Sequence, residues 1–147
     1  QLFLAIKKEM PVIIHSRDAA DDTLSIIKKA YSQAQENKTR LTGVVHCFSY
    51  GVEMAREYVK MGFYLGVGGV LTFKNARKLR EVVEQIPLEY LVLETDCPYL
   101  APEPHRGERN TSLNLTYVVR EFASIRGIEE EEVIRATTAN ALRLYRL

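Results

Sequence analysis

Cysteine is scarce in this 147-residue sequence, with only Cys47 and Cys97. Two residues that far apart make no disulfide framework, and such usage suggests a reducing, cytoplasmic home. Charge of one sign is lacking too. Twenty Lys and Arg face nineteen Asp and Glu, a formal net charge of +1, so no global basic field announces a nucleic-acid binder. No apolar run approaches the roughly 20 residues of a membrane-spanning helix. Residues 1–10, QLFLAIKKEM, have neither an initiator Met nor the apolar core and cleavage site of a signal peptide. Leu2, Phe3 and Ile6 instead show helical spacing up to Pro11, so the chain is expected to open within a helix, with something upstream. Internal repeats and low-complexity tracts are absent. With 46% hydrophobic and 27% charged residues, disorder, collagen and coiled coil are excluded. What remains is one globular domain, long enough to bury a core without staples.

Within that domain strands and helices alternate. Short apolar runs at Pro11–His15, Leu41–Cys47, Phe63–Val67 and Tyr90–Leu93 read as strands. Helical periodicity covers Asp18–Gln35, with Asp18 as its N-cap, then Val52–Met61 and Lys74–Gln85. Two more helices, near 113–126 and 129–145, follow a long Pro- and Arg-bearing loop at 97–111, with Gly127 between them. This order predicts an α/β fold with a parallel sheet, its strands buried on both faces.

Polar residues gather where the strands end: His15, His46, the glycines Gly66 and Gly68, and Glu94 with Asp96. Parallel α/β folds place active sites at those ends. Imidazole and carboxylate donors together suit zinc, manganese, iron or magnesium, and metal-assisted hydrolysis. A lone strand-end histidine is more often a packed, hydrogen-bonded residue, and three such groups at equivalent ends shift that balance. Glu94 and Asp96, two apart, face the same way, so one can serve the metal or a water while the other orients its neighbours. In the loop above, Arg106 and Arg109 have the fork geometry for phosphate. His105 reads as a surface residue. Gly66-Val67-Gly68-Gly69 fits neither a P-loop nor a dinucleotide fingerprint and is expected to let backbone pass close to a ligand or bend. Cys47 and Cys97 read as small buried fillers.

Four segments, PVIIHSRDA (11–19), GVVHCFS (43–49), LTFKNA (71–76) and LETDCPYLAP (93–102), resemble the TatD-type metal-dependent deoxyribonucleases, as do RGERN (106–110) and ATTANA (136–141). The resemblance runs in order along nearly the whole chain. It implies a (β/α)8 barrel with a site for two divalent metals at its C-terminal face, hydrolysing DNA phosphodiester bonds, in some members from the 3′ end. His15 and His46 match two histidines that hold one metal. Asp96 matches the aspartate that binds the other metal and helps activate water. Arg17, Ser49, Arg106 and Arg109 fall where the family meets phosphate.

The family's His-x-His motif and metal-bridging glutamate have no counterpart here, and a barrel takes about 250 residues. Residues 1–147 are therefore expected to be a single partial domain, the C-terminal half (strands 5–8) of such a barrel with the N-terminal half absent, and weakly active or inactive. Two local departures fall on the substrate rim. Tyr50 precedes Gly51 where the family has glycine directly, and Thr111-Ser112 replaces Glu-Pro. Implied partners are DNA, two divalent ions per complete site (Mg, Mn or Zn) and a second copy along the exposed half-barrel edges, with no membrane. Alternatives are another amidohydrolase-like hydrolase, of deaminase or phosphotriesterase type, and an inert self-associating half-barrel.

Overall fold

The computed structural model describes residues 1–147. A four-stranded parallel sheet carries β1 (Val12–Ile14), β2 (Gly43–Val45), β3 (Tyr64–Val67) and β4 (Leu91–Leu93), in the order β1-β2-β3-β4. After α1 (Leu2–Lys8), each of the first three strands leads into a helix: α2 (Ala20–Glu36), α3 (Val52–Lys60) and α4 (Arg77–Gln85). β4 leads through a long loop to α5 (Leu115–Arg126) and α6 (Glu130–Tyr145). Strand order follows chain order without reversal. That is how barrel sheets grow, and it differs from the doubly wound fold, whose order switches direction. No helix is long and apolar enough to cross a membrane.

Strand alternation divides the core. Val45, Leu65, Val67 and Leu91 face the helices and join a 24-residue cluster with Ile27, Tyr58, Leu79 and Phe122. Full burial of such side chains stabilises by roughly 1.5–3 kcal/mol each. Val44 and Val92 face the other way and are covered by Leu144 of α6. Ile13, level with Val44 across the β1–β2 ladder, is 63% exposed. The expectation of strands buried on both faces therefore holds for β2 but not for β1, which has a neighbour on one side only.

The helix ends show which local signals decided the structure. Gly127 takes a left-handed φ of 63° and closes α5, as its position between two helices suggests. Asp18 does not cap α2. The helix starts at Ala20 with Ala19 in the cap position, and Asp18 sits in a left-handed turn at φ 52°. The turn is instead held by Ser16, whose hydroxyl is 2.8 Å from that of Thr23 and 2.8 Å from that of Tyr50. At the other end of the chain α6 is fixed by Asn140. This fully buried side chain donates Nδ2–H bonds to the carbonyls of Leu88 (2.8 Å) and Leu91 (2.7 Å).

Candidate metal centre

Register sets which side chains share the inner face of the sheet. Ile14 pairs with Val45 and Val45 with Leu65, so the next level carries His15, His46 and Gly66, the last opposite Val92 of β4. Glu94 and Asp96 follow on the same face, beyond Val92. The imidazole rings of His15 and His46 lie 6.1 Å apart, centre to centre. Nε2 of His46 is 3.1 Å from Oδ1 of Asp96. Three groups separated by 31 to 81 positions in the chain are thus neighbours at the C-terminal strand ends.

His46 is held from both sides, since its Nδ1 lies 2.9 Å from Oε2 of Glu94. Burial alone pulls its pKa down. The hydrogen bonds and charges of Glu94 and Asp96 outweigh that effect and leave it above the ordinary value. Cys47 follows at once, in a left-handed conformation at φ 46°, and its N–H donates to Oε1 of Glu94. Its thiol is pushed up to about 12, by burial first and then by the charges of Glu94 and Asp96. A thiol held in its neutral form is not an activated nucleophile. The donor atoms of His46, Cys47 and Glu94 lie within 4.8 Å of one another. Glu94 has both oxygens turned to His46 and Cys47, while His15 and Asp96 flank His46 on its other side. Cys97, expected to be buried, is exposed, and its Sγ is 3.0 Å from the Thr95 hydroxyl. It stands on the loop that leaves the sheet, where no helix covers it.

The glycines make room for neighbouring protein groups. A Cβ on Gly66 would stand 2.4 Å from the carboxyl carbon of Glu94, and one on Gly69 would stand 2.2 Å from the carbonyl oxygen of Leu100. The first opens the way for Glu94 and the second seats the loop after β4. That loop is clasped by buried Asn110, whose Nδ2 donates to Tyr99 O at 2.8 Å and whose own N–H donates to Pro98 O.

The phosphate candidates are dispersed around this centre. Arg17 and Ser49 follow β1 and β2, exposed and without side-chain partners. Arg109 is exposed on the long loop. The guanidinium of Arg106 stacks 4.3 Å from the centre of the Phe73 ring. His105 is tied down by Glu108 of its own loop (2.9 Å) and by the Tyr117 hydroxyl of α5 (3.0 Å). Tyr50, one of the departures noted in the sequence, donates to Ser16 O at 3.2 Å and so joins the loops that follow His15 and His46. The sequence marked Tyr50 as a departure and Asn110 and Asn140 only as parts of matched segments, without the tertiary bonds each makes.

Comparison with known proteins places this arrangement. Residues 1–146 match the family described as TatD related DNase. The chain is 44% identical over 147 residues to the uncharacterized metal-dependent hydrolase YabD of Bacillus subtilis, covering 100% of this chain and 55% of YabD. It is 41% identical over 137 residues to the uncharacterized metal-dependent hydrolase YcfH of Escherichia coli K12, covering 93% and 49%. The crystal structure of YJJV, a TatD homologue from E. coli K12, superimposes with a TM-score of 0.87 at 31% identity, over 99% of this chain and 54% of YJJV. The chain therefore spans about half the length of the relatives it matches.

Proposed function

The chain belongs to the TatD-related DNase family, and from that premise we propose that it forms the β5–β8 half of a (β/α)8 barrel whose metal site hydrolyses DNA phosphodiester bonds. Residues 1–147 are then one partial domain, and each matched relative has length to spare for four further strands. The observation that carries the reading is the contact of His46 Nε2 with Asp96 Oδ1 at 3.1 Å, beside His15, at the C-terminal strand ends. Two imidazoles and a carboxylate fit Mg, Mn or Zn, and the complete site takes two ions. Such ions supply positive charge to the phosphate oxygens and lower the pKa of water.

The chain's own residues account for the rest. Asp96, with 39% of its side chain exposed, is open enough to take a proton from the attacking water. His46 is fixed in orientation by Glu94. Arg17, Arg106 and Arg109, with the Ser49 hydroxyl, neutralise and orient the phosphate. Free cysteines suit a cytoplasmic enzyme.

The test is 3′-labelled single-stranded DNA with Mn²⁺ or Mg²⁺. The expected result is slow hydrolysis that stops on chelation, orders of magnitude below a full-length relative, because each metal role is worth several kcal/mol. A rate equal to that of a full-length relative would overturn the half-site reading. Intact DNA alongside turnover of a deaminase or phosphotriesterase substrate would move the assignment to that class.

We also propose that the chain pairs with a second copy. β1 and β4 each have a neighbour on one side only. A groove of about 520 Å³ runs along β1, lined by Leu2, Val12, Ile13, Ile14 and Ile26. Another of about 430 Å³ flanks Leu93 between α5 and α6. Neither edge strand has a Lys or Pro to blunt pairing. Sedimentation velocity is expected to show a dimer, and a monomer persisting at high concentration would exclude it.

A further inference from the structure

On the inner face of the sheet, Glu94 of the β4 end and His46 of the β2 end are separated by β3. Any side chain at the β3 position between them would block the way. That position is Gly66, and a Cβ built there falls 2.4 Å from both the carboxyl carbon and Oε1 of Glu94. The carboxylate therefore lies across β3 in the space a side chain would fill. The backbone of Glu94 is itself pinned, its N–H donating to Val67 O at 3.1 Å. Gly68 passes close beneath, with a built Cβ 3.2 Å from Glu94 O. At the far side both carboxylate oxygens are used. Oε2 meets His46 Nδ1 at 2.9 Å, and Oε1 accepts the N–H of Cys47, a residue held in the left-handed region where non-glycine residues are uncommon. Three separate features, Gly66 of β3 and then His46 and Cys47 after β2, converge on this one side chain.

We propose that Glu94 is the positioning residue of His46, holding the neutral ring as the Nδ1–H tautomer so that the Nε2 lone pair is left for an incoming metal shared with Asp96. Glu94 at Nδ1 and Asp96 at Nε2 can both only accept, so the neutral ring, with a single N–H, donates to one of them. Glu94 is the nearer (2.9 against 3.1 Å), the more buried and the one also fixed by the Cys47 N–H, whereas Asp96, 39% exposed, is free to turn to water. A hydrogen-bonded carboxylate behind a ligating histidine fixes its ring and raises its basicity. Both oxygens of Glu94 are turned to His46 and Cys47, so its role runs through the ring it holds. The inference rests on His46 being a metal ligand, as proposed above, but its central claim is about the metal-free ring.

The experiment is nitrogen-15 NMR of His46 in the metal-free chain at alkaline pH. The wild type is expected to show the Nδ1–H tautomer, and Glu94→Gln to shift the ring toward Nε2–H, because the amide can donate to Nδ1. A wild-type ring in the Nε2–H form overturns the proposal without any variant, and so does an unchanged tautomer in folded Glu94→Gln. In a zinc titration by calorimetry, Glu94→Gln should weaken binding about 10–100-fold relative to wild type. Equal affinities would overturn the proposal. A wild-type chain that binds no zinc while its tautomer still follows residue 94 would defeat the metal reading and leave the positioning role standing.

Discussion

Asp96→Asn is expected to bring metal-dependent DNA hydrolysis by this chain down to the chelated background. Asparagine keeps the size of the side chain but loses its negative charge and its ability to take a proton. A positioned general base contributes roughly 10²–10⁴-fold, and the same side chain is proposed to hold the ion, so the loss lies at the upper end or beyond. The fold should survive, because the side chain is partly exposed and its contact is with His46 alone. Circular dichroism and the melting temperature verify that, and a labelled-DNA assay reads the rate. His46→Ala should behave alike. Hydrolysis that persists unchanged in both variants would belong to a contaminating nuclease, and the assignment of these residues would fall.

The largest effect on stability is expected at Asn140. Its amide is the only side-chain donor to Leu88 O and Leu91 O, and Arg143 in turn donates to its Oδ1. Asn140→Ala leaves two carbonyls without that donor beneath α6. Each buried group left unpaired costs about 1–3 kcal/mol, so a total of about 3 kcal/mol is expected, or roughly a hundredfold in the folded-to-unfolded ratio. Chemical denaturation measures it through the midpoint at constant slope. Asn140→Asp separates shape from chemistry. It has the same outline but turns acceptors toward two carbonyls, and should cost at least as much as alanine. An aspartate variant as stable as wild type would show that the donor bonds carry little of the energy.

The sheet and the candidate metal donors were legible in the sequence because both rest on short-range pattern. Strand runs at 11–15 and 41–47 name the two histidines, and parity along one strand puts Glu94 and Asp96 on one face. What was not legible depends on register between strands. Nothing within the chain at Gly66 tells that a carboxylate from 28 residues on will lie over it. The partner of Asn140 is likewise set by how α6 docks, which no local spacing encodes. Asp18 shows the opposite failure. Its capping chemistry was sound, but the Ser16 cluster with Thr23 and Tyr50 moved the helix start two residues on. Cys97 was read as buried because cysteine usually is, yet it lies on the outgoing loop, where no layer covers it.

The unreversed strand order has a kinetic consequence. Val12 pairs with Gly43, Val44 with Tyr64 and Leu65 with Leu91, so each pairing closes a loop of only 20 to 31 residues. The loop closed at each step stays about the same length, and each strand finds a template in the one before it. Assembly can thus run from either end, one strand and helix at a time, as it does in repeat proteins. The contact that breaks the pattern is Leu144 against Val44, a hundred positions apart. Docking of α6 is then the step with the longest reach, and during synthesis all four strands are made before the helix that locks them.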